Sequence, residues 1–263
     1  PFYEDYVEFL MSRGRTAQAL EVAESCRAKV LAEKLGLDRA AIRRASVADF
    51  RAKARAEGAV LLSYWLAPRR SFLWVVTPEG VQSFNLPPEK EISQLVEAYT
   101  NPILQQRDPL GTLNPSGSRL FEALVAPARK LVRTGANVIV VPDGSLHELN
   151  FETLPVSTGE QRYWIEDVTV AIAPSLRLLS NRNGYARVPK RSLLLIGDPL
   201  SPGPEFPALP DAEREIESIQ GRFQASERAV YSKASARPAV YREANPARYS
   251  MIHFAAHATA NRE

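Results

Sequence analysis

A histidine just beyond the end of an apolar strand is the residue of this chain best placed for chemistry. Residues 249–255 form a largely apolar run that is predicted to be a strand, and His257 follows it by two positions. Open α/β sheets bind ligands in the crevice beyond the carboxyl ends of their strands, so an imidazole there can serve as a general base. A structural histidine that hydrogen-bonds at a strand end fits the same spacing, and the spacing does not separate the two interpretations.

The chain itself offers His257 no suitable nucleophile. Cys26, its only cysteine, lies in an alanine-rich helical segment, where a thiol behaves best as a small buried hydrophobe. We therefore expect the nucleophile in a segment that follows residue 263. A single cysteine also excludes an internal disulfide and is typical of a reducing compartment, so we expect a cytoplasmic protein.

The other candidate residues are assigned more modest roles. His253 falls within the predicted strand and is interpreted as a core residue, whereas His147 follows a turn and is expected at the surface. Asp198 follows the apolar run 193–196, where it could line a pocket and bind a basic substrate side chain, or cap a loop. Three histidines and one cysteine lack the paired spacing of a zinc site, so we predict no metal and no cofactor.

Composition and charge argue against several classes of protein, and nucleic-acid binding stays a weaker alternative. No apolar run approaches the ~20 residues that span a bilayer, so we expect no membrane partner. The net charge is only +3, and no glycine-rich phosphate-binding motif follows a predicted strand. One basic stretch is interpreted as an exposed helical face more than as a nucleic-acid footprint, because its cations are not interleaved with the aromatic residues that base stacking requires; it contains Arg39, Arg43, Arg44, Arg51, Lys53 and Arg55.

Two helices joined at Gly14 are predicted within residues 3–35. We expect this hairpin to pack on the following domain through Tyr6, Phe9, Leu20 and Ala23. Residues 14–23 resemble the turn and second helix of a tetratricopeptide repeat. Such repeats stack because one unit cannot bury both its faces, which implies further repeats upstream; an ordinary helical hairpin is the alternative.

The rest of the chain is predicted to be an α/β structure. A β-hairpin and a third strand are expected at 59–66, 71–77 and 81–84, followed by helices at 89–104 and 117–133. Strands then alternate with helices, and their continuous apolar runs are typical of parallel strands covered on both faces. These strands are 137–141, 168–172, 192–196, 229–231 and 249–255, and the helices are 175–181, 210–223 and 235–244.

Several segments resemble, in the same order, stretches of CHAT domains, caspase-like peptidase domains that commonly follow tetratricopeptide repeats. These segments are residues 140–154, 164–167, 173–176, 196–199, 209–215 and 252–257. The resemblance implies a caspase-like three-layer α/β sandwich around a mainly parallel sheet. It divides the chain into a tetratricopeptide-like segment and linker, residues 1–56, and a CHAT domain, residues 57–263, incomplete at its C-terminus.

The same resemblance implies a cysteine endopeptidase with a His–Cys dyad, in which His257 matches the dyad histidine. A glycine usually follows that histidine in the family and donates its N–H to the oxyanion, whereas this chain has Ala258. The implied partners are a protein or peptide substrate and a regulatory protein bound through helical repeats. Because the nucleophile is missing, we expect this chain alone to be inactive. A peptidase-like scaffold for protein–protein interaction is the alternative, and Ala258 supports it.

Overall fold

The computed structural model describes residues 2–35, 45–110, 114–156, 161–179, 191–201 and 203–258. The chain forms two compact units, and the division falls between residues 182 and 183. Among the described residues the first unit contains a five-stranded sheet and the second a three-stranded one. No helix in this part of the chain combines the length and apolarity needed to cross a membrane. The boundary predicted near residue 56 stays a prediction.

The sheet of the first unit joins an antiparallel half to a parallel half. β1 (Ala59–Trp65), β2 (Ser71–Val76) and β3 (Val81–Leu86) are antiparallel neighbours. β4 (Asn137–Val141) pairs in parallel with β1, and β5 (Thr169–Ile172) pairs in parallel with β4, which gives the order β3-β2-β1-β4-β5. The predicted hairpin, its third strand and the first two alternating strands are therefore confirmed.

Helices cover both faces of this sheet. α1 (Phe2–Ser12), α2 (Thr16–Leu35) and α3 (Val47–Glu57) contribute to the apolar cluster on one face. α4 (Glu89–Leu104) and α5 (Pro115–Leu120) contribute to the cluster on the other. Alternate residues of the strands enter the two clusters, because successive side chains of a strand point to opposite faces. The result is the three-layer α/β arrangement expected from the sequence.

The N-terminal hairpin packs on the sheet largely as predicted. Gly14, with a φ of 69°, turns the chain between α1 and α2, a conformation that glycine adopts at little steric cost. Leu20 and Ala23 are fully buried in the same apolar cluster as Trp74. The small alanine side chain lets α2 lie close to the sheet.

Phe9 does not pack as predicted. Its side chain is 48% exposed, whereas Val7 and Leu10 are the fully buried positions of α1. These two residues are three apart and share a helical face, which turns Phe9 away from the sheet. Tyr6 packs at the edge of the cluster, as expected.

A buried carboxylate ties α2 to the carboxyl end of the parallel strands. Glu24 is fully buried, and its Oε1 accepts a hydrogen bond from Ser63 Oγ at 3.1 Å. Its Oε2 accepts from Ser175 Oγ at 2.9 Å and from the Leu176 N–H at 2.7 Å. Arg27 forms an ion pair with the same carboxylate one turn later. These partners compensate the loss of hydration that a buried charge suffers.

The described part of the basic stretch binds backbone carbonyls. Arg51 and Arg55 donate to the Pro78 carbonyl at 3.0 and 3.3 Å, and Lys53 Nζ donates to the Leu176 carbonyl at 2.7 Å. Arg55 is exposed, which agrees with the expected exposed helical face, whereas Arg51 and Lys53 are only partly exposed. The remaining members, Arg39, Arg43 and Arg44, lie outside the described residues.

The predicted helix at 117–133 is divided into three short helical segments of different geometry. α5 ends at Leu120, a π-helical turn follows at Phe121–Val125, and a 3-10 turn follows at Ala126–Ala128. Pro127 lacks the N–H that a continuing α-helix requires, which explains the end of regular helical geometry there.

The sheet of the second unit is entirely parallel. β6 (Leu193–Pro199) lies between β7 (Arg228–Lys233) and β8 (Met251–Ala255). α6 (Ala212–Gln220) packs on one face of this sheet and α7 (Val240–Glu243) on the other. Because all three strands run the same way, their carboxyl ends meet at one edge.

Two further predicted helices, one in each unit, differ from expectation. Residues 176–178 form a turn and not a helix, and residues 180–181 lie outside the described residues. α7 covers only four residues of the predicted 235–244. Pro238 precedes it, and Asn245, with a φ of 53° before Pro246, follows it, and both prolines interrupt the helical hydrogen-bond pattern.

Candidate functional site

The carboxyl end of β6 carries a bulge centred on Asp198. The register with β7 shifts between Gly197 and Pro199, and Asp198 has a φ of 47°. Lys233, the last residue of β7, has a φ of 52°, and its ammonium forms an ion pair with the Asp198 carboxylate. The hydrogen bond to Asp198 raises the pKa of Lys233. Non-glycine residues with positive φ are uncommon, and such strain concentrates at functional sites.

Gly197 allows β6 and β8 to approach closely. A Cβ at this position would lie 2.7 Å from the Cβ of Ala255 and 2.9 Å from its carbonyl oxygen. It would also lie 3.1 Å from Cδ1 of Ile216 on α6. The residues that follow β8 are therefore held next to the end of the central strand by a position that has no room for a side chain.

His257 lies two residues beyond the end of β8, and its side chain is exposed. Its Nε2 is 2.7 Å from the carbonyl oxygen of Pro207, and its ring centroid is 5.9 Å from that of Phe206. A carbonyl oxygen only accepts hydrogen bonds, so Nε2 carries the proton. In the neutral imidazole Nδ1 is then unprotonated and can accept a proton from another group.

His253 occupies a different environment four residues earlier. It pairs in register with Leu195 on β6, and its Nε2 lies 2.7 Å from Oε1 of Glu215 on α6. The side chain is half-buried, so the prediction of a packed position within the strand is confirmed in part. Its contact with Glu215 links β8 to α6 and indicates a structural role.

A cavity of about 580 Å³ opens at the carboxyl ends of the three parallel strands. Asp198, Lys233 and His257 all line it. Its size and its mainly apolar wall are typical of sites that bind small ligands or parts of larger ones. The large apolar side chains of this wall are Leu200, Phe206, Leu209, Pro238, Tyr241 and Phe254. No group of three or more His, Cys, Asp or Glu side chains that could hold a metal ion is found among the described residues.

Cys26 lies on α2 in the first unit and packs at the edge of its apolar cluster. Burial raises the pKa of its thiol, an effect that neighbouring Arg27 opposes. A raised pKa reduces the thiolate fraction at neutral pH, and the thiolate is the nucleophilic form. The expectation that Cys26 packs as a small hydrophobe agrees with this environment.

The structure thus brings two of the predicted site residues, His257 and Asp198, to one cavity. Ala258 follows His257 and is exposed, and its service as an N–H donor stays a prediction. His147 is exposed after β4, as expected.

Sequence reasoning missed two contributors, Pro207 and Lys233. Pro207 acts through its backbone carbonyl, for which no side-chain signal exists. Lys233 could have been found, because the last residues of neighbouring parallel strands lie side by side and an acid had already been placed at the end of β6.

The comparisons with known proteins give one family. Among curated proteins, none matches this chain. A model of the CHAT domain matches residues 114–263, which is more than half of the 263 residues. CHAT domains form a caspase-like, peptidase-related family, and the α/β architecture with its parallel strands is consistent with that relationship. The matched segment includes the whole second unit, with Asp198, His257 and the cavity between them. The chain belongs to the CHAT domain family.

Proposed function

We propose that this domain is part of a caspase-like cysteine endopeptidase, in which His257 acts as the general base. The observation that carries the proposal is the hydrogen bond from His257 Nε2 to the Pro207 carbonyl, 2.7 Å long, at the edge of a cavity. It leaves Nδ1 as the nitrogen that can accept a proton. Membership of a peptidase-related family supports the same assignment.

The proposed chemistry follows from this arrangement. A cysteine thiol, with an unperturbed pKa of ~8.5, transfers its proton to Nδ1 of His257, and the thiolate forms a bond to the peptide carbonyl carbon. The carbon–nitrogen bond then breaks, and the imidazolium returns the proton to the leaving amine. Water hydrolyses the resulting thioester with His257 again as the base. The N–H of Ala258 is proposed to donate to the oxyanion during both steps.

The nucleophile is proposed to be a cysteine outside these 263 residues. Cys26 is the only cysteine of the chain, and burial raises its pKa within the first unit. That environment favours the thiol form, which is a poor nucleophile and a poor partner for a general base.

Regulation is proposed to act through the N-terminal helices. α2 is anchored to the first sheet by Glu24, whose carboxylate binds Ser63 and Ser175. A protein that stacks on α1 and α2 as a further helical repeat would therefore act on an element joined to the parallel strands by buried polar contacts. The proposed partners are such a regulatory protein and a peptide substrate.

The test uses a protein that contains both this domain and its nucleophilic cysteine. His257→Ala should reduce peptide cleavage at least ~100-fold while leaving the melting temperature nearly unchanged, since the exposed ring contributes little packing. His253→Ala, four residues earlier and within β8, is the matched control, and it should act mainly by lowering stability through the loss of the Glu215 contact. Equal cleavage by wild type and His257→Ala would remove His257 as the base.

A non-catalytic scaffold is the second candidate, and two observations favour it. Ala258 stands where glycine usually follows the histidine in this family, and β8 exposes apolar side chains at Ile252 and Phe254, which are two residues apart and share a face of the strand. Exposed apolar residues that lie together can mark an interaction surface. If the cysteine-containing protein cleaves no peptide but still binds a partner through β8, the scaffold is the better assignment.

A further inference from the structure

We propose that the cavity beside His257 accepts an apolar substrate side chain and rejects a basic one, because Lys233 already forms an ion pair with the carboxylate of Asp198. This inference rests on the proposed peptidase function and names the class of substrate for the same site. Asp198 is the acidic side chain of the described cavity wall, so it is the group on which a lysine or arginine side chain of a substrate would depend.

The first support is the pairing of charges around the cavity. Asp198 is only 8% exposed and is ion-paired with Lys233, whose Nζ also lies 3.9 Å from Oε2 of Glu213. Arg237 binds both carboxylate oxygens of Glu243, at 3.1 and 2.7 Å. Each charged side chain that lines the described cavity therefore has a partner. A basic ligand would have to displace Lys233 from a nearly buried carboxylate, which would leave one cation uncompensated.

The second support is the apolar wall. Leu200 is 62% exposed, Tyr241 is 40% exposed and Phe254 is 55% exposed, although all three are large apolar or aromatic residues. They converge on the same cavity, and the rings of Tyr241 and Phe254 lie 5.7 Å apart. Single exposed apolar residues are ordinary, but several that face one concave space indicate a site for an apolar group.

The third support is the backbone that holds the ion pair. Asp198 and Lys233 both have positive φ, at a bulge where the register of β6 and β7 shifts. The pair is therefore part of the sheet edge and not a contact between two flexible loops. Specificity is the difference between the affinities for two substrates. An internal cation that repels basic side chains lowers the affinity for the basic substrate. Lys233 is thus the residue that sets the preference, and Asp198 is the acid that its removal would expose.

The experiment measures binding of two blocked tripeptides, identical except for a central leucine or arginine, to the 263-residue chain by NMR titration. We expect the leucine peptide to bind the wild type at least ~10-fold more tightly, with shifts at Tyr241, Phe254 and His257. In Lys233→Met the affinity for the arginine peptide should rise at least ~10-fold, while the affinity for the leucine peptide should change by less than about 2-fold.

Three further variants control the result. Lys233→Asn should reproduce the gain, since asparagine tolerates positive φ and preserves the strand end if methionine does not. Arg237→Met removes a cation from the same cavity but leaves Asp198 paired, so the affinity for the arginine peptide should not rise. The double variant Asp198→Asn/Lys233→Met should lose the gain, because the carboxylate is gone.

Several outcomes would overturn the inference: binding of neither peptide to the wild type, a wild-type preference for arginine, or no gain in either folded Lys233 variant. The proposed function fails by a different result, unchanged cleavage in His257→Ala of the cysteine-containing protein. If that protein cleaves at basic residues, the peptidase function stands and the apolar preference is wrong. If the leucine peptide binds at the cavity but His257 is not needed for cleavage, the apolar preference stands and the proposed role of His257 is wrong.

Discussion

His257 Nε2 lies 2.7 Å from the carbonyl oxygen of Pro207, and this contact decides which nitrogen of the ring can act as a base. The carbonyl requires a proton on Nε2 and so leaves Nδ1 free to accept one from a thiol. The imidazole ring is thus oriented by a backbone group of the segment that precedes α6. No third side chain is needed for that orientation.

The first prediction concerns this tautomer. In the neutral ring of His257 we expect the proton on Nε2, so the ¹⁵N chemical shifts of the folded chain should show a protonated Nε2 and an unprotonated Nδ1. The chain unfolded in urea serves as the control, because loss of the Pro207 contact should let the neutral ring exchange between both tautomers. A folded-state spectrum with the proton on Nδ1 would contradict the proposed orientation.

The second prediction concerns Gly197. In Gly197→Ala the new methyl group would meet the Cβ of Ala255 at 2.7 Å, so β8 must move away from β6. We expect the second unit to lose about 1–3 kcal/mol of unfolding free energy, and the NMR signals of His257 to shift.

Gly203→Ala is the matched control for that substitution, because a Cβ at Gly203 meets nothing within 4 Å. Its effect on unfolding free energy should stay within about 0.5 kcal/mol. Equal stability of the two variants would show that the close approach of β6 and β8 does not hold the site.

Much of this fold is predictable from the sequence, because its elements follow local patterns. Continuous apolar runs predicted β4 and β6, and the helix over 89–104 matches α4 in both bounds. The predicted strand end before His257 is also present, and His257 lines the cavity at that edge of the sheet. What local patterns cannot give is a contact made by a backbone carbonyl, such as Pro207, or a bulge that pairs Asp198 with Lys233. The position of Phe9 was missed for a similar reason, since its apolar character is compatible with either side of α1.

The third prediction concerns Glu24. Glu24→Gln removes the more buried of the two carboxylates that compensate Arg27, whose side chain is only 9% exposed; Asp143 Oδ1, at 3.6 Å from Nη2, is the other. We expect a loss of about 3–5 kcal/mol of unfolding free energy in the first unit, measured by denaturant titration. The amide oxygen can still accept from Ser63 or Ser175, but the amide nitrogen cannot replace the second acceptor.

An exposed ion pair in the same unit provides the control. Glu91 lies 3.6 Å from Arg119, and both side chains are at least half exposed. Glu91→Gln should lower stability by no more than about 1 kcal/mol, since solvent screens such pairs. If the Glu24→Gln variant is as stable as Glu91→Gln, the buried carboxylate does not anchor α2.

The fourth prediction concerns activity. The 263-residue chain should cleave no peptide, because a general base without a thiolate partner cannot form an acyl-enzyme. The assay is turnover of a peptide library followed by mass spectrometry, with Cys26→Ala as the control variant. Cleavage by the wild-type chain that Cys26→Ala abolishes would overturn the assignment of an external nucleophile.

The last prediction concerns the thiol of Cys26, whose pKa is raised by burial. Alkylation by iodoacetamide should therefore show a midpoint above the ~8.5 of an unperturbed thiol in the folded chain, and a midpoint near that value after unfolding. Between the unfolded and the native pKa the native state binds more protons, so this group lowers the free energy of unfolding as pH rises through that window. Cys26→Ala should reduce the fall in stability over the same window, and the difference between the two chains isolates the thiol from other titrating groups. A folded-state alkylation midpoint below ~8.5 would instead mark Cys26 as an activated nucleophile.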